Sequence, residues 1–152
     1  MKNKNSSILK PFAIALTLAV ASVTTGAFAE EHEHHAGKVD ISKLPPASTK
    51  TGVTYATDIK PIFEASCVKC HGAEKPKAGL KLTSLEGALK GTKDGKVIEP
   101  GNSTKSALVI SVACISSDDE EWMPPKNNKA KIAPLTKEQV GLIRAWVDQG
   151  AK

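Results

Sequence analysis

The sequence predicts an all-α domain of about four helices joined by long loops. Three observations carry this prediction. Apolar residues recur at helical spacing in several short segments, no run alternates convincingly with the period of a strand, and proline and glycine punctuate the stretches between. No segment repeats along the 152 residues.

Residues 1–29 read as a secretory signal peptide. Lys2, Lys4 and Lys10 form a positive start, the stretch from Pro11 to Val23 is small and apolar, and Ala27-Phe28-Ala29 supplies the small-x-small pattern of a cleavage site. The apolar run is shorter than the ~20 residues a membrane-spanning helix needs, so cleavage after Ala29 is expected, and no later stretch spans a bilayer. The mature chain is therefore expected in the periplasm or otherwise exported. Residues 30–53 read as a flexible tether, opening on Glu30 and Glu31 and passing through Pro45-Pro46 without periodicity. His32, His34 and His35 are metal ligands by type, but nothing on such a segment fixes three imidazoles in one geometry.

The folded domain is expected over 54–152. Thr57 or Asp58 caps a first helix whose first turn holds Pro61, and Ile59, Ile62 and Phe63 form an apolar stripe that runs into Cys67. Residues 73–81 contain Pro76 and Gly79 and form a loop. Ser84 caps a short helix ended by Gly91. The turn Pro100-Gly101-Asn102-Ser103 leads into a third helix over roughly 105–115. After a polar loop over 116–131, the last helix has the clearest start. Thr136 is its cap, Gln139 completes a capping box, Leu135 and Val140 form a hydrophobic staple, and Gly150 is the stop.

Composition narrows the function classes. The formal charge of +5 includes the three signal lysines, whose removal leaves 18 basic against 16 acidic residues, or +2. That balance, with no basic helix, argues against nucleic-acid binding. Aromatic residues make up 4% of the chain, and after the signal they are Tyr55, Phe63, Trp122 and Trp146. A core this thin in a small domain commonly needs a metal, disulfides or a cofactor to hold together.

Cys67-Val68-Lys69-Cys70-His71 is the spacing that attaches haem c. Two thiols three residues apart add across the two vinyl groups of one haem, and His71 follows as an axial ligand of the iron. Attachment consumes Cys67 and Cys70 and leaves Cys114 single, which accounts for an odd cysteine count in an exported chain. The rival uses of the spacing lack their context. A thioredoxin-like pair expects a βαβ unit, and a zinc site expects a second pair of ligands. Cys114 itself reads as a small buried apolar residue on the third helix, facing with Ala107 and Ile110. An intermolecular disulfide is its sharper alternative.

Met123 is the candidate for the opposite axial position. Only one other methionine, Met1, exists, and it leaves with the signal. Met123 lies in a polar loop, stiffened by Pro124 and Pro125, that favours extended geometry. A thioether is soft and neutral and favours ferrous iron. The alternative, a gap-filling core methionine, fits a polar loop poorly.

With these residues in view, the span from about Tyr55 to Lys152 resembles the planctomycete-type cytochrome c domain, a branch of the class I cytochrome c fold. The resemblance rests on Ile62-Phe63 ahead of Cys67 to Gly72, then on Lys77 to Leu82 and Pro100 to Ser103. It continues with Met123-Pro124-Pro125-Lys126 and closes on Leu142 to Ala151. It implies a helical fold around one haem c, His71 and Met123 as axial ligands, and crossing first and last helices that bring Phe63 near Trp146. Cys114 lies outside the family's haem pattern.

The expected function is one-electron transfer, because iron ligated on both sides has no open position for substrate. From Lys69 to Lys96 there are seven lysines against three acidic residues, while Asp118 to Glu121 form an acidic run. The asymmetry reads either as ordinary solvated surface or as a Lys-rich docking face for an acidic redox partner. The alternative is a haem protein with displaceable Met123, acting as a peroxidase or a diatomic-gas sensor. It lacks any distal acid-base pair in the sequence.

Overall fold

Thr54 caps the turn that leads into the first α-helix, in a computed structural model that describes residues 37–152. The expected signal peptide and His32, His34 and His35 lie outside the described residues. The Thr54 hydroxyl accepts from the N–H of Thr57, and the next five residues, Tyr55–Ile59, form a wide π turn before helix α1, Lys60–Ser66. The first cap is therefore Thr54 rather than Thr57 or Asp58. A π turn uses five residues where an α turn uses fewer, which moves the cap upstream of where α spacing puts it. Pro61 does sit in the first turn of α1.

Five α-helices appear among the described residues, besides single 3-10 and π turns, and no strand. After α1 come α2 (Val68–His71), α3 (Leu85–Lys90), α4 (Ala107–Ala113) and α5 (Lys137–Asp148). The all-α expectation holds, with α2 a short additional helix. Side-chain caps explain the two most legible helices. Ser84 accepts from Gly87 N–H at the start of α3, and Gly91, at φ 83, ends it where a Cβ would stand 2.4 Å from the Gly95 carbonyl. At α5, Thr136 accepts from Gln139 N–H at 3.2 Å while the Gln139 side chain accepts from Thr136 N–H at 2.9 Å, the full capping box.

The core lies where α1, α4 and α5 meet. Phe63 and Trp146 are both fully buried and pack edge to face at 6.3 Å, with Tyr55 about 6 Å from each. Such pairs add about 0.5–1.5 kcal/mol beyond burial of their area. The Trp146 indole N–H donates to the Lys152 carbonyl and Tyr55 OH to the Leu82 carbonyl, so neither ring buries an unpaired polar atom.

Two expectations need correction. From Gly37 onward the tether is a strap bonded to the domain. Lys38 and Ser117 exchange hydrogen bonds beside a Val39–Ser116 bridge, Ser48 N–H donates to the Gly141 carbonyl, and Arg144 donates to the Pro45 carbonyl. Gly141 lets the strap pass, since a Cβ there would lie 2.6 Å from the Pro46 carbonyl. Cys114 is not a helical core residue either. It follows α4 with φ 53 and ψ 45, half-buried, in the left-handed region that closes a helix.

Candidate cofactor site

The cavity beside the core is where the sequence's candidate residues meet. Cys67 closes α1, its N–H donating to the Phe63 carbonyl at 2.8 Å. Its own carbonyl then accepts from Cys70 N–H at 3.0 Å and His71 N–H at 2.9 Å, so the chain turns into α2 at Cys67. This break presents both thiols and the imidazole to one cavity. The His71 carbonyl accepts from Leu82 N–H at 2.8 Å, which anchors the end of α2 to the following loop.

Met123 reaches the same cavity from a loop. Its N–H donates to the Ser111 carbonyl of α4 at 3.0 Å, and the peptide bond to Pro124 is cis. Trp122 is fixed just ahead of it by an indole N–H bond to the Ser116 carbonyl, with the Lys126 ammonium 4.3 Å over its ring. Cys67, Cys70, His71 and Met123 thus line one cavity of about 900 Å³ including its open mouth. Its walls are mostly apolar, with Leu80, Leu82, Val97, Leu108 and Val112 among them, and no carboxylate, lysine or arginine among the described residues lines it.

Electrostatics favour neutral donors. Burial lowers the His71 pKa below its ordinary value, and the nearby Lys77 charge adds to this while the backbone of Leu80 and Lys77 opposes it. The imidazole is held in the neutral form that binds metal. His71 Nδ1 is buried without a hydrogen-bond partner. An orphaned buried group costs about 1–3 kcal/mol, which a bound group or water at this imidazole would relieve. Burial, with the neighbouring Cys70, pushes the Cys67 thiol up to about 11. Burial also raises the Cys114 thiol, against the opposing influence of the nearby Met123 backbone and Lys126.

The donor set fits haem c. Two thiols, a neutral imidazole and a thioether share one mostly apolar cavity, the donor types and surroundings that haem c needs. Among the described residues no group of three or more His, Cys, Asp or Glu could hold a metal ion directly. Four polar lining residues were not singled out from the sequence: Ser66, Thr92, Ser111 and Asn128. An asparagine shortly after a Pro-Pro pair is a turn-stapling signal, and it was the legible one of the four.

Residues 67–127 match the family model for planctomycete cytochrome C, a span that opens on Cys67 and runs past Pro125. No curated protein and no solved structure matches the chain.

Proposed function

We propose that this chain, which carries a planctomycete-type cytochrome c domain, is an exported one-electron carrier with a single haem c. In this reading Cys67 and Cys70 would hold the cofactor through thioethers, and His71 and Met123 would ligate its iron. One observation carries it: these four side chains line one apolar cavity. A haem c bound there would supply a ferric/ferrous couple.

The chain's own residues do the rest. Burial keeps His71 neutral, and the short α2 sets its ring beside the two thiols. The Met123 thioether favours the ferrous state, and the leucine and valine walls exclude water, which disfavours added positive charge. Among the described residues no lining side chain besides His71 and the two thiols is an acid or base, and electron transfer asks for none.

A partner surface follows from the rim. Lys77 adjoins Ala78, Lys93 N–H donates to the Ala78 carbonyl, and Lys129 and Lys131 flank the Asn128–Ile132 edge, all four lysines exposed. A basic rim of this kind would steer an acidic redox protein to the mouth of the cavity. Association with such a partner is expected to slow steeply as salt is added.

The test is spectroscopy on the exported protein. Covalent haem that survives denaturing electrophoresis, with a low-spin ferric spectrum and the red-end sulfur-to-iron charge-transfer band, is the expected result. A high-spin ferric spectrum without that band would overturn the carrier reading in favour of an open iron site.

A further inference from the structure

The loop that presents Met123 has little regular structure after a single 3-10 turn at Asp119–Glu121, and one side chain does much of its wiring. Asn128 Nδ2 donates to the Pro125 carbonyl at 2.9 Å and to the Ile132 carbonyl at 2.8 Å, while Oδ1 accepts from Ile132 N–H at 2.8 Å. Its backbone adds a donation to the Pro125 carbonyl at 3.1 Å and an acceptance from Lys131 N–H at 3.0 Å. Lys131, closed inside this bracket, has φ 54, a left-handed conformation that a lysine keeps only when its surroundings impose it. Pro125, Asn128 and Ile132 line the cavity together with Met123. The segment 123–132 is therefore fastened to the domain by Met123 N–H on the Ser111 carbonyl and by Lys126 on Asp119, and the Asn128 amide closes it internally between Pro125 and Ile132.

We propose that Asn128 is the positioning residue that keeps Met123 in its ligating stance, acting through the Pro125 carbonyl and the Ile132 backbone. The proposal rests on the His71/Met123 reading above. Without the amide, the loop after Pro125 loses its closure, and the thioether competes less well against an added ligand. A residue that merely shaped the cavity would instead alter access for any ligand, whether or not Met123 is present.

A double-mutant cycle on the haem-loaded chain separates these roles. Imidazole affinity and the sulfur-to-iron band are measured for the native chain, Asn128→Ala, Met123→Ala and the double variant. Loss of several hydrogen bonds in Asn128→Ala is expected to tighten imidazole binding about tenfold to a hundredfold and to weaken the band. In the Met123→Ala background the same change is expected to alter affinity by less than about twofold, since its effect runs through Met123. An equal change in both backgrounds, or none in the native background, overturns the proposal. Asn128→Asp keeps the acceptor for Ile132 N–H but loses both donations, and it carries the same cycle where Asn128→Ala fails to fold. If the native chain shows no band and Met123→Ala leaves imidazole affinity unchanged, the ligation reading fails, and the proposal with it.

Discussion

On the His71 side of the cavity, the functional residues sit on two abutting helices. Cys67 to His71 are tied by successive backbone bonds and lie against Phe63, which is itself locked to Trp146. On the Met123 side the backbone makes only a short turn, and the loop is held by individual side chains: Trp122 on Ser116, Lys126 on Asp119, and Asn128 on its own flanks. The first wall shares its stability with the core. The second is fastened by bonds worth about 1 kcal/mol each. One side is therefore built to hold and the other to be adjusted.

The largest expected effect tests whether cofactor and core are one structure. Cys67→Ser with Cys70→Ser should abolish covalent haem and remove most of the folding free energy, about 5 kcal/mol or more. Haem-stained gels and far-ultraviolet circular dichroism read both. A variant that stays fully folded without haem would break the link between the His71 wall and the cavity's contents. Trp146→Ala comes next, costing about 3–5 kcal/mol through the void it leaves behind Phe63; denaturant midpoints measure it.

Met123→Ala should invert that pattern. Stability falls by only about 1–2 kcal/mol, while the charge-transfer band disappears and the reduction potential drops. A stability loss as large as that of Trp146→Ala would show the two walls to be equally part of the core. Gly141→Ala tests the strap, whose Pro46 carbonyl the new methyl would strike, at an expected cost of about 1–3 kcal/mol and faster proteolysis before residue 48.

The smallest effect concerns pH. Asp58 is lowered from 3.8 to about 2, first by its hydrogen bond from Lys50, then by those from Thr54 and Thr57. A carboxylate with a depressed folded pKa stabilises above its unfolded value, so this contribution is full above pH 4 and is lost as pH falls toward 2. Asp58→Asn should flatten the stability profile across that window and leave it unchanged in shape at neutral pH. An unaltered acid limb in denaturant titrations would rule out the Lys50–Asp58 pair as its source.

What was legible in the sequence follows the same physical divide. The helices α3 and α5 announced themselves because their caps are side chains at fixed offsets, Ser84 and the Thr136–Gln139 box. The four candidate residues that share the cavity stood out because the proposed chemistry requires residue types at set spacings. The strap was not, because its bonds run through the carbonyls of Pro45, Lys38 and Lys50 to partners about 80 to 100 residues away, and backbone carbonyls leave no mark on composition. Gly141 in the middle of a good helix was the available hint of a close approach. Cys114 was misplaced because periodicity carries a helix past the point where the backbone turns left-handed.

The strap also decides where load enters the domain. Force arriving along the chain from before Gly37 meets first the paired backbones of Lys38 and Ser117 and the bond from Gly37 N–H to Glu121. Those contacts adjoin Trp122 and the loop that carries Met123, so tension is delivered to the adjustable wall while the helical wall is shielded. An attachment made through the N-terminal end would thus act as a mechanical handle on the thioether side of the cavity.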